Sequence, residues 1–248
     1  VGSGNRLRRR RSSATPSAKD DTRWHRRRRR KNGLTIVSCS DDRFIGVACL
    51  LMNQAGLVLE VQKTSKWIRE SDGQVRIGLG GIGGKIKDGE TPVTALQRES
   101  LEEIGAAVHI ASAPFTIAVD PDGVAHECDW TDEPRPILVW ESGDPNRHKG
   151  VQVVVFLGHL LSVPRPGDLP AVVTMSLAAM STLASVGPTI EDLIQAGALL
   201  KEREQIPRDA KVIPVGTISV LCNLGENYPD LFSRIQSEAE ILQSIGLE

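Results

Sequence analysis

The sequence of 248 residues lacks any apolar run long enough to cross a membrane, and it lacks closely paired cysteines. A membrane helix needs about 18–20 consecutive apolar residues, whereas stretches such as residues 153–157 are only as long as a strand. The four cysteines are scattered and form no CxxC pair, so neither a zinc ribbon nor a disulfide scaffold is indicated. These absences exclude a membrane-spanning protein and predict a cytoplasmic one.

The chain also has little net charge, but its charges are unevenly distributed. The formal net charge is −1. Residues 1–31 carry 13 basic and two acidic side chains, a net charge of +11, and the remainder carries 17 basic and 29 acidic side chains, a net charge of −12. Because the first segment is poor in apolar residues, it cannot bury enough surface to offset its ordering entropy. We therefore expect residues 1–33 to form a disordered basic tail, with order beginning near Leu34.

Three interpretations of this tail stay open. It is a solvated extension or an upstream translation artefact, a segment that contacts nucleic acid through phosphate neutralisation, or an Arg- and Ser-rich organelle transit peptide. Its two basic clusters hold four and six consecutive residues, and Trp24 is the one aromatic residue near them. Any nucleic-acid contact is therefore expected to be nonspecific. Asp20 and Asp21 argue against a transit peptide.

The middle of the chain has the pattern of a sheet-rich domain. Its strand-like runs are apolar or alternating and are bounded by turn residues; they are residues 44–51, 56–62, 74–79, 107–119, 137–140 and 151–161. From residue 164 the pattern predicts a loop and then helices, at residues 189–204 and 230–245. We expect one domain at residues 34–186 and a mainly helical extension at residues 187–248, which serves as a structural or dimer-forming appendage.

A glycine cluster at residues 80–84 precedes a predicted helix with two different faces. Thr91 is a suitable N-cap, Pro92 a suitable first helical residue, and Gly105 a suitable stop. At about 100° per residue, the helix has a core face of Val93, Leu96, Ser100 and Ile104 and an opposite face of Ala95, Glu99, Glu102 and Glu103. The helix thus combines an apolar face with a carboxylate face.

Three carboxylates at positions i, i+3 and i+4 repel one another, by a few tenths of a kcal/mol for each pair. A bound cation relieves this repulsion, and hard oxygen ligands on one rigid face suit Mg²⁺ or Mn²⁺. The alternative is an acidic solvated face on which Arg98 pairs with Glu102 at i+4.

The wider pattern resembles the Nudix box of the Nudix hydrolase superfamily, G-x5-E-x7-R-E-U-x-E-E-x-G-U, where U is an aliphatic residue. All seven fixed positions match in register: Gly84, Glu90, Arg98, Glu99, Glu102, Glu103 and Gly105. The departures are Ser100 and Ala106 at the two aliphatic positions, and Ile82 where many relatives have proline. The box covers residues 84–106, and the flanking strand pattern extends the resemblance to about residues 44–183.

The resemblance implies an α/β (α+β) fold, a Nudix-type α/β/α sandwich with a mixed sheet and a loop-helix-loop catalytic motif. It also implies roles for the residues of the box. Glu99, Glu102, Glu103 and the backbone carbonyl of Gly84 are the expected ligands of Mg²⁺ or Mn²⁺. Arg98 is expected to orient a box carboxylate, whereas Glu90 and Gly105 support the box.

The implied activity is hydrolysis of a diphosphate linkage in a nucleoside diphosphate joined to another moiety, by attack of water on phosphorus. The substrate is a small nucleotide-type molecule, and the alternative is a nucleotide-binding or regulatory module without turnover. The general base is a box residue, Glu103 or Glu99, or a carboxylate on a later segment, for which the candidates are Glu127, Glu133 and Glu141.

The substrate-binding residues stay unassigned at this point. Pro121 is placed as in ADP-ribose-directed relatives, but its surroundings are also explained by a turn. The aromatic and basic side chains that are candidates to hold a base or a phosphate are Trp67, Trp130, Trp140 and Arg147. His126 and His148 do not stand at metal-ligand spacing in the sequence and are assigned no catalytic role.

Overall fold

The computed structural model describes residues 29–31, 34–38, 44–141, 152–160, 162–184 and 187–245. The tail up to residue 28 lies outside the described residues, as do Arg147 and His148. Within the described ranges, no helix is long and apolar enough to cross a membrane.

Fourteen strands of the described chain belong to one mixed sheet. They are β1 (Arg29–Lys31), β2 (Leu34–Ser38), β3 (Phe44–Asn53), β4 (Gly56–Val61), β5 (Ile68–Arg69), β6 (Val75–Lys85), β7 (His109–Ala111), β8 (Thr116–Val119), β9 (Ala125–Asp129), β10 (Leu138–Glu141), β11 (Gln152–His159), β12 (Ala171–Met175), β13 (Leu199–Glu202) and β14 (Lys211–Pro214). The α-helices are α1 (Pro92–Ile104), α2 (Met180–Ala184), α3 (Ile190–Gln195), α4 (Thr217–Asn227) and α5 (Pro229–Ile245).

The strands follow the order β1-β2-β9-β8-β10-β11-β3-β6-β4-β12-β13, with β14 and β5 also paired to β6 and β7 to β11. The pairings β3–β11, β8–β10 and β6–β14 are parallel, whereas β3–β6 and β4–β6 are antiparallel. The expected mixed sheet is therefore confirmed.

Helices cover both faces of this sheet. Residues of β3 alternate between two cores, as expected for an apolar strand buried on both faces. Val47, Cys49 and Leu51 pack in the core that includes Leu96 and Ile104 of α1. Their neighbours Ala48, Leu50 and Met52 pack in the other core, with residues of α4 and α5. This arrangement of helix, sheet and helix confirms the expected α/β/α sandwich.

The glycine cluster forms part of a strand rather than a loop after one. The predicted strand at residues 74–79 continues as β6 to Lys85, through Gly78, Gly80, Gly81, Gly83 and Gly84. The strand continues through these glycines because β6 pairs with β4 on one side and with β3 on the other, and only a glycine readily adopts the positive φ of 148° at Gly83. The central position of β6 thus brings five glycines, interrupted by Leu79 and Ile82, into the middle of the sheet.

The sequence prediction was wrong in parts of the C-terminal half. The helix expected at residues 189–204 ends at Gln195, and β13 follows it, paired with β12. β12 lies in a stretch expected to be loop and helix, and all five of its residues are buried. A short strand buried between two others carries no alternation, so its pattern is easily mistaken for that of a helix.

The C-terminal segment shares the core of the sheet. Ile190 and Leu193 of α3 and Ile218 of α4 are buried in the same cluster as Leu59 and Leu79. The predicted helix at residues 230–245 agrees with α5. The proposed boundaries after residues 33 and 186 stay predictions, although β1 already pairs with β2, ahead of the expected start of order near Leu34.

Three of the cysteines lie in the described part. Cys49 is buried and Cys222 half-buried, and both are free thiols. Cys128 is disulfide-bonded, which the scattered spacing of the cysteines did not indicate.

Substitution of Gly158 tests the tight packing between β11 and β3. A Cβ on Gly158 would lie 2.5 Å from Val108 Cγ1 and closer still to Cys49 Sγ. We expect Gly158→Ala to lower the free energy of unfolding by about 1–3 kcal/mol, because overpacking forces buried neighbours to move. The matched control is Gly225→Ala in α4, where a Cβ makes ordinary contact with Phe232 at 3.4 Å. This control should be stabilising by about 0.5–1 kcal/mol. Urea denaturation measures both, and equal effects would contradict the packing argument.

Candidate active site

Helix α1 begins and ends as the sequence predicts. The Thr91 hydroxyl accepts a hydrogen bond from the Thr94 backbone N–H at 3.2 Å, and Thr94 Oγ1 accepts one from the Thr91 N–H at 2.9 Å. Pro92 occupies the first turn, and Gly105 ends the helix in the left-handed conformation, with φ of 65°. These local caps fix which turn of the helix each carboxylate occupies.

The two faces of α1 differ from the prediction at two positions. Ala95 and Glu103, expected on the carboxylate face, are buried together with Leu96, Ser100 and Ile104. Glu103 is only 6% exposed, and its Oε2 accepts a hydrogen bond from the Gly83 N–H at 3.0 Å. Because the glycines of β6 leave room, this carboxylate points towards the sheet while Glu102 stays exposed.

Arg98 connects the loop before the helix to the carboxylates. Its Nε and Nη2 donate to the two carboxylate oxygens of Glu90 at 2.7 and 2.9 Å, and Nη2 also donates to the Lys85 carbonyl at 2.9 Å. Nη1 donates to Glu99 at 2.7 Å and to Glu102 at 3.4 Å. These hydrogen bonds from Arg98, together with one from the Lys87 N–H, lower the pKa of Glu90. The guanidinium thus contacts three of the four predicted box glutamates.

Two carboxylates lie directly over glycines of β6. A Cβ on Gly84 would overlap the Glu99 carboxylate, and a Cβ on Gly80 would lie 2.5 Å from Glu60 Oε1. Gly80 is the cross-strand partner of Glu60, and Gly84 that of Val47. Side chains at these glycine positions would therefore displace the acidic groups.

Burial raises the pKa of two of the carboxyl groups. Desolvation, followed by the charge of Glu60, raises the pKa of Glu103 to about 9. Desolvation also raises the pKa of Glu60, although Lys66 and Lys63 lower it in part. A divalent cation would favour the ionised form of both groups.

Sequence reasoning missed three residues of this site: Glu60, Lys63 and Asp168. The Lys63 Nζ forms an ion pair with Asp168 at 2.5 Å, and Asp168 acts electrostatically on Glu60 and Glu103. Glu60 had a visible signal, since it is the one charged residue in the apolar strand β4. No local pattern indicated Lys63 or Asp168, because their contact joins distant parts of the chain.

Several predicted candidates lie in other contacts. Glu127 pairs with Arg234 at 3.5 Å, and Glu133 accepts hydrogen bonds from Ser112 and from the Arg135 N–H.

The tryptophans that were candidates to hold a base are engaged in the fold. Trp67 Nε1 donates to the Gln62 carbonyl, Trp140 Nε1 donates to Thr217, and Trp130 is buried. Pro121 lies in a turn in which Asp120 accepts backbone hydrogen bonds. Glu141 is half-buried at the end of β10.

The box residues fit a hard divalent cation in their chemistry. Glu99, Glu102 and Glu103 supply carboxylate oxygens, the donors that Mg²⁺ and Mn²⁺ prefer, and Glu103 is a buried acid that forms no ion pair among the described residues. Among the described residues, however, no three His, Cys, Asp or Glu side chains already form a cluster that could hold a metal ion. Arg98 holds Glu99 and Glu102 on one side, while the Gly83 N–H holds Glu103 on another.

A separate cavity of about 380 Å³ lies beside the turn between β3 and β4. Its lining includes Leu160, Val163, Val172 and Leu199 and contains no residue of the box. It is therefore distinct from the candidate site.

Comparison with known proteins gives one family. Residues 42–160 match the family model of the NUDIX domain, and no curated protein matches the chain. Similar solved structures include a NUDIX hydrolase from Nitrosomonas europaea, with 17% identity, 79% of this chain and 81% of that chain covered, and a TM-score of 0.33.

Two further similar structures are MutT proteins. The MutT protein of Methanosarcina mazei Go1 has 16% identity, covers 58% of this chain and 85% of its own, and has a TM-score of 0.34. The MutT NUDIX hydrolase of Burkholderia pseudomallei has 20% identity, covers 52% of this chain and 78% of its own, and has a TM-score of 0.30. At such scores these likenesses add no argument to the family match.

The buried Glu103 predicts how stability depends on pH in the metal-free protein. Its pKa is about 9 in the folded protein, against 4.5 for a glutamate in an unfolded chain. Between these values the folded protein keeps a proton that the unfolded chain has lost, so the contribution of Glu103 to stability is greatest at low pH and falls as pH rises. The slope reaches at most about 1.4 kcal/mol per pH unit. We expect Glu103→Gln to reduce this fall between pH 7 and pH 8.5, measured by urea denaturation with a chelator present.

The control for this measurement is Glu240→Gln on the exposed face of α5, which should keep the slope of the parent protein. If Glu103→Gln keeps the parent slope as well, the pKa of Glu103 is not raised as described.

Proposed function

Because residues 42–160 belong to the Nudix hydrolase superfamily, we propose that this chain uses Mg²⁺ or Mn²⁺ to hydrolyse a diphosphate linkage. The substrate is a nucleoside diphosphate joined to another moiety. The observation that supports this most is the arrangement around Arg98, which contacts Glu90, Glu99 and Glu102 within the box. Hydrolysis of diphosphate bonds is the general reaction of the superfamily, and the identity of the metal and the substrate is our proposal.

The proposed metal ligands are Glu99, Glu102, Glu103 and the carbonyl of Gly84. When bound, the metal neutralises charge on the diphosphate oxygens and lowers the pKa of bound water. Arg98 limits the rotation of Glu99 and Glu102, and its pair with Glu90 fixes the loop that leads into the helix. Gly105 ends the helix after the last of these carboxylates, so both it and Glu90 support the site without binding substrate.

A box glutamate is the favoured general base. Glu127 and Glu133 are engaged with Arg234 and with Ser112, whereas Glu99 and Glu103 lie at the box itself. We therefore propose that Glu103 or Glu99 accepts the proton of the attacking water, with Glu141 as the alternative on a later strand.

The alternative function is binding of a nucleotide without turnover. The presence of Glu99, Glu102 and Glu103 together favours the enzyme, because a module that only binds a nucleotide does not need three ligands for a metal. The Nudix fold alone does not separate the two functions.

Activity with a substrate panel tests the proposal. Purified protein with Mg²⁺ is incubated with ADP-ribose, dinucleotides, NADH, coenzyme A, sugar nucleotides and nucleoside triphosphates, and the products are separated by chromatography. We expect cleavage of at least one compound and a fall in kcat of about 100-fold or more in Glu103→Gln, because charge stabilisation at the reacting phosphate is lost.

The control is Glu240→Gln, which should match the parent in kcat. Absence of cleavage across the panel, or a Glu103→Gln variant as fast as the parent, would show that the chain is not the proposed hydrolase. Binding of a nucleotide without cleavage would support the alternative.

The location, partners and oligomeric state stay proposals from the sequence. We propose a cytoplasmic protein, a C-terminal segment able to mediate a homodimer, and nonspecific nucleic-acid contact by the basic tail. A nucleic-acid role of the tail predicts an affinity for duplex DNA that falls steeply as the salt concentration rises. We expect deletion of residues 1–31 to abolish this binding in fluorescence anisotropy titrations. Equal affinity before and after the deletion would refute a nucleic-acid role of the tail.

A further inference from the structure

An ion pair outside the box lies next to its carboxylates. Lys63 follows β4, and Asp168 lies in the loop between β11 and β12; their Nζ and Oδ2 atoms are 2.5 Å apart. Both side chains are about half exposed, at 50% and 46%. Exposed pairs of this kind contribute little to stability, and an exposed ammonium group can be reached by a ligand.

The loop that carries Asp168 is attached to the end of helix α1. The backbone N–H groups of Arg165, Gly167 and Asp168 donate to the carbonyls of Ile104, Glu103 and Glu102, at 3.0, 2.7 and 2.9 Å. These carbonyls have no partner within the helix because they belong to its last turn. Two of the three belong to box glutamates, so the position of Asp168 is fixed relative to the proposed metal ligands.

The approach of this loop to the helix requires glycine at one position. A Cβ on Gly167 would overlap the Glu102 carbonyl oxygen. The peptide unit of Gly167 therefore packs directly on the helix end. Asp168 is the next residue, so its position is constrained as well.

Arg203 of the C-terminal segment holds the same loop from the other side. Its Nη1 donates to the Gly167 carbonyl, its Nη2 donates to the Asp168 carbonyl at 3.1 Å, and its backbone N–H donates to the Pro170 carbonyl at 2.8 Å. The loop is thus fixed between α1 and the residue that follows β13. It lies beyond residues 42–160, which match the family model.

The charges around the Lys63–Asp168 ion pair explain the role of a positively charged side chain at this position. Glu99 and Asp168 act electrostatically on both Glu60 and Glu103, and an acidic group of this kind alone repels a diphosphate. Arg98 already donates through Nε, Nη1 and Nη2 within the box. An ammonium group has three donors, and the hydrogen bond to Asp168 uses one of them. The pKa of Lys63 is raised, chiefly by that hydrogen bond, and Glu103 and Glu99 also raise it.

We propose that Lys63 binds the diphosphate of the substrate and that Asp168 is a positioning residue that holds the Lys63 ammonium group beside Glu99 and Glu103. This inference rests on the proposed hydrolase function and names a substrate-binding group for the same site. A bound divalent cation would neutralise part of the diphosphate charge, and Lys63 would supply a further positive charge. The loop fixed by Gly167 and Arg203 sets the distance between Lys63 and the box.

Two measurements test this inference: the kcat and KM for a compound that the parent cleaves, and calorimetric binding of methylenediphosphonate in the presence of Mg²⁺. Methylenediphosphonate carries the diphosphate charge without a hydrolysable bridge. We expect Lys63→Met to raise KM and weaken methylenediphosphonate binding by about 10-fold, since it removes one charge-assisted hydrogen bond. Lys63→Arg should retain most of the binding, and Lys211→Met, an exposed lysine of β14, is the matched control.

The double variant separates positioning from direct action. If Asp168 acts only through Lys63, Asp168→Asn raises KM by less than Lys63→Met, and the double variant is no worse than Lys63→Met alone. Independent effects that add up would overturn the positioning role. A loss of kcat with unchanged KM in Asp168→Asn would also overturn it, because Asp168 would then act as a catalytic group.

Failure of this inference is distinguishable from failure of the proposed function. A parent that cleaves nothing refutes the hydrolase, whereas a parent that is active while Lys63→Met binds methylenediphosphonate as tightly as Lys211→Met refutes the role of Lys63. Should Lys63→Met fold poorly in thermal denaturation, Lys63→Gln takes its place with the same expected loss of binding.

Discussion

The close approach of helix α1 to strand β6 is the contact on which the candidate site depends. Glu99 lies over Gly84, and Glu103 reaches the Gly83 N–H, only because β6 has no side chains at these positions. The buried residues of the helix also include two small ones, Ala95 and Ser100. Glycines usually weaken a central strand. They are needed here because they leave room for carboxylates in a partly buried position.

This close approach brings carboxylates together, and the positive charges of the chain neutralise them only in part. Arg98 neutralises the carboxylates at the start of the site, but its guanidinium is shared among Glu90, Glu99 and Glu102. Burial and the charge of Glu60 raise the pKa of Glu103 well above the usual range of a carboxyl group. A hard divalent cation is the simplest group that favours ionisation of Glu103 and also attracts a diphosphate. The same shortage of positive charge gives Lys63 its importance.

Sequence reasoning predicted the parts of this site that depend on spacing within one helix. The caps at Thr91 and Gly105 follow from residue types at the helix ends. The contact of Arg98 with Glu102, which the sequence offered as the alternative to a metal site, follows from the interval of four residues. The burial of Glu103 was not predicted, because a helical projection does not show that the facing strand lacks side chains. The contact between Lys63 and Asp168 was missed for a related reason, since it depends on β4 and the β11–β12 loop meeting at one end of α1.

The errors in the C-terminal half have a structural consequence for the site. A helix at residues 189–204 would have placed Arg203 on an appendage, whereas the observed β13 pairs with β12 and brings Arg203 against the loop of Gly167 and Asp168. β14 likewise runs parallel to β6, the strand that carries the glycines. The segment beyond the family match is thus part of the framework that fixes the loop, the end of α1 and Lys63 relative to one another. Rigid support from outside the box matters because a diphosphate must be held at a fixed distance from the carboxylates before water can attack it.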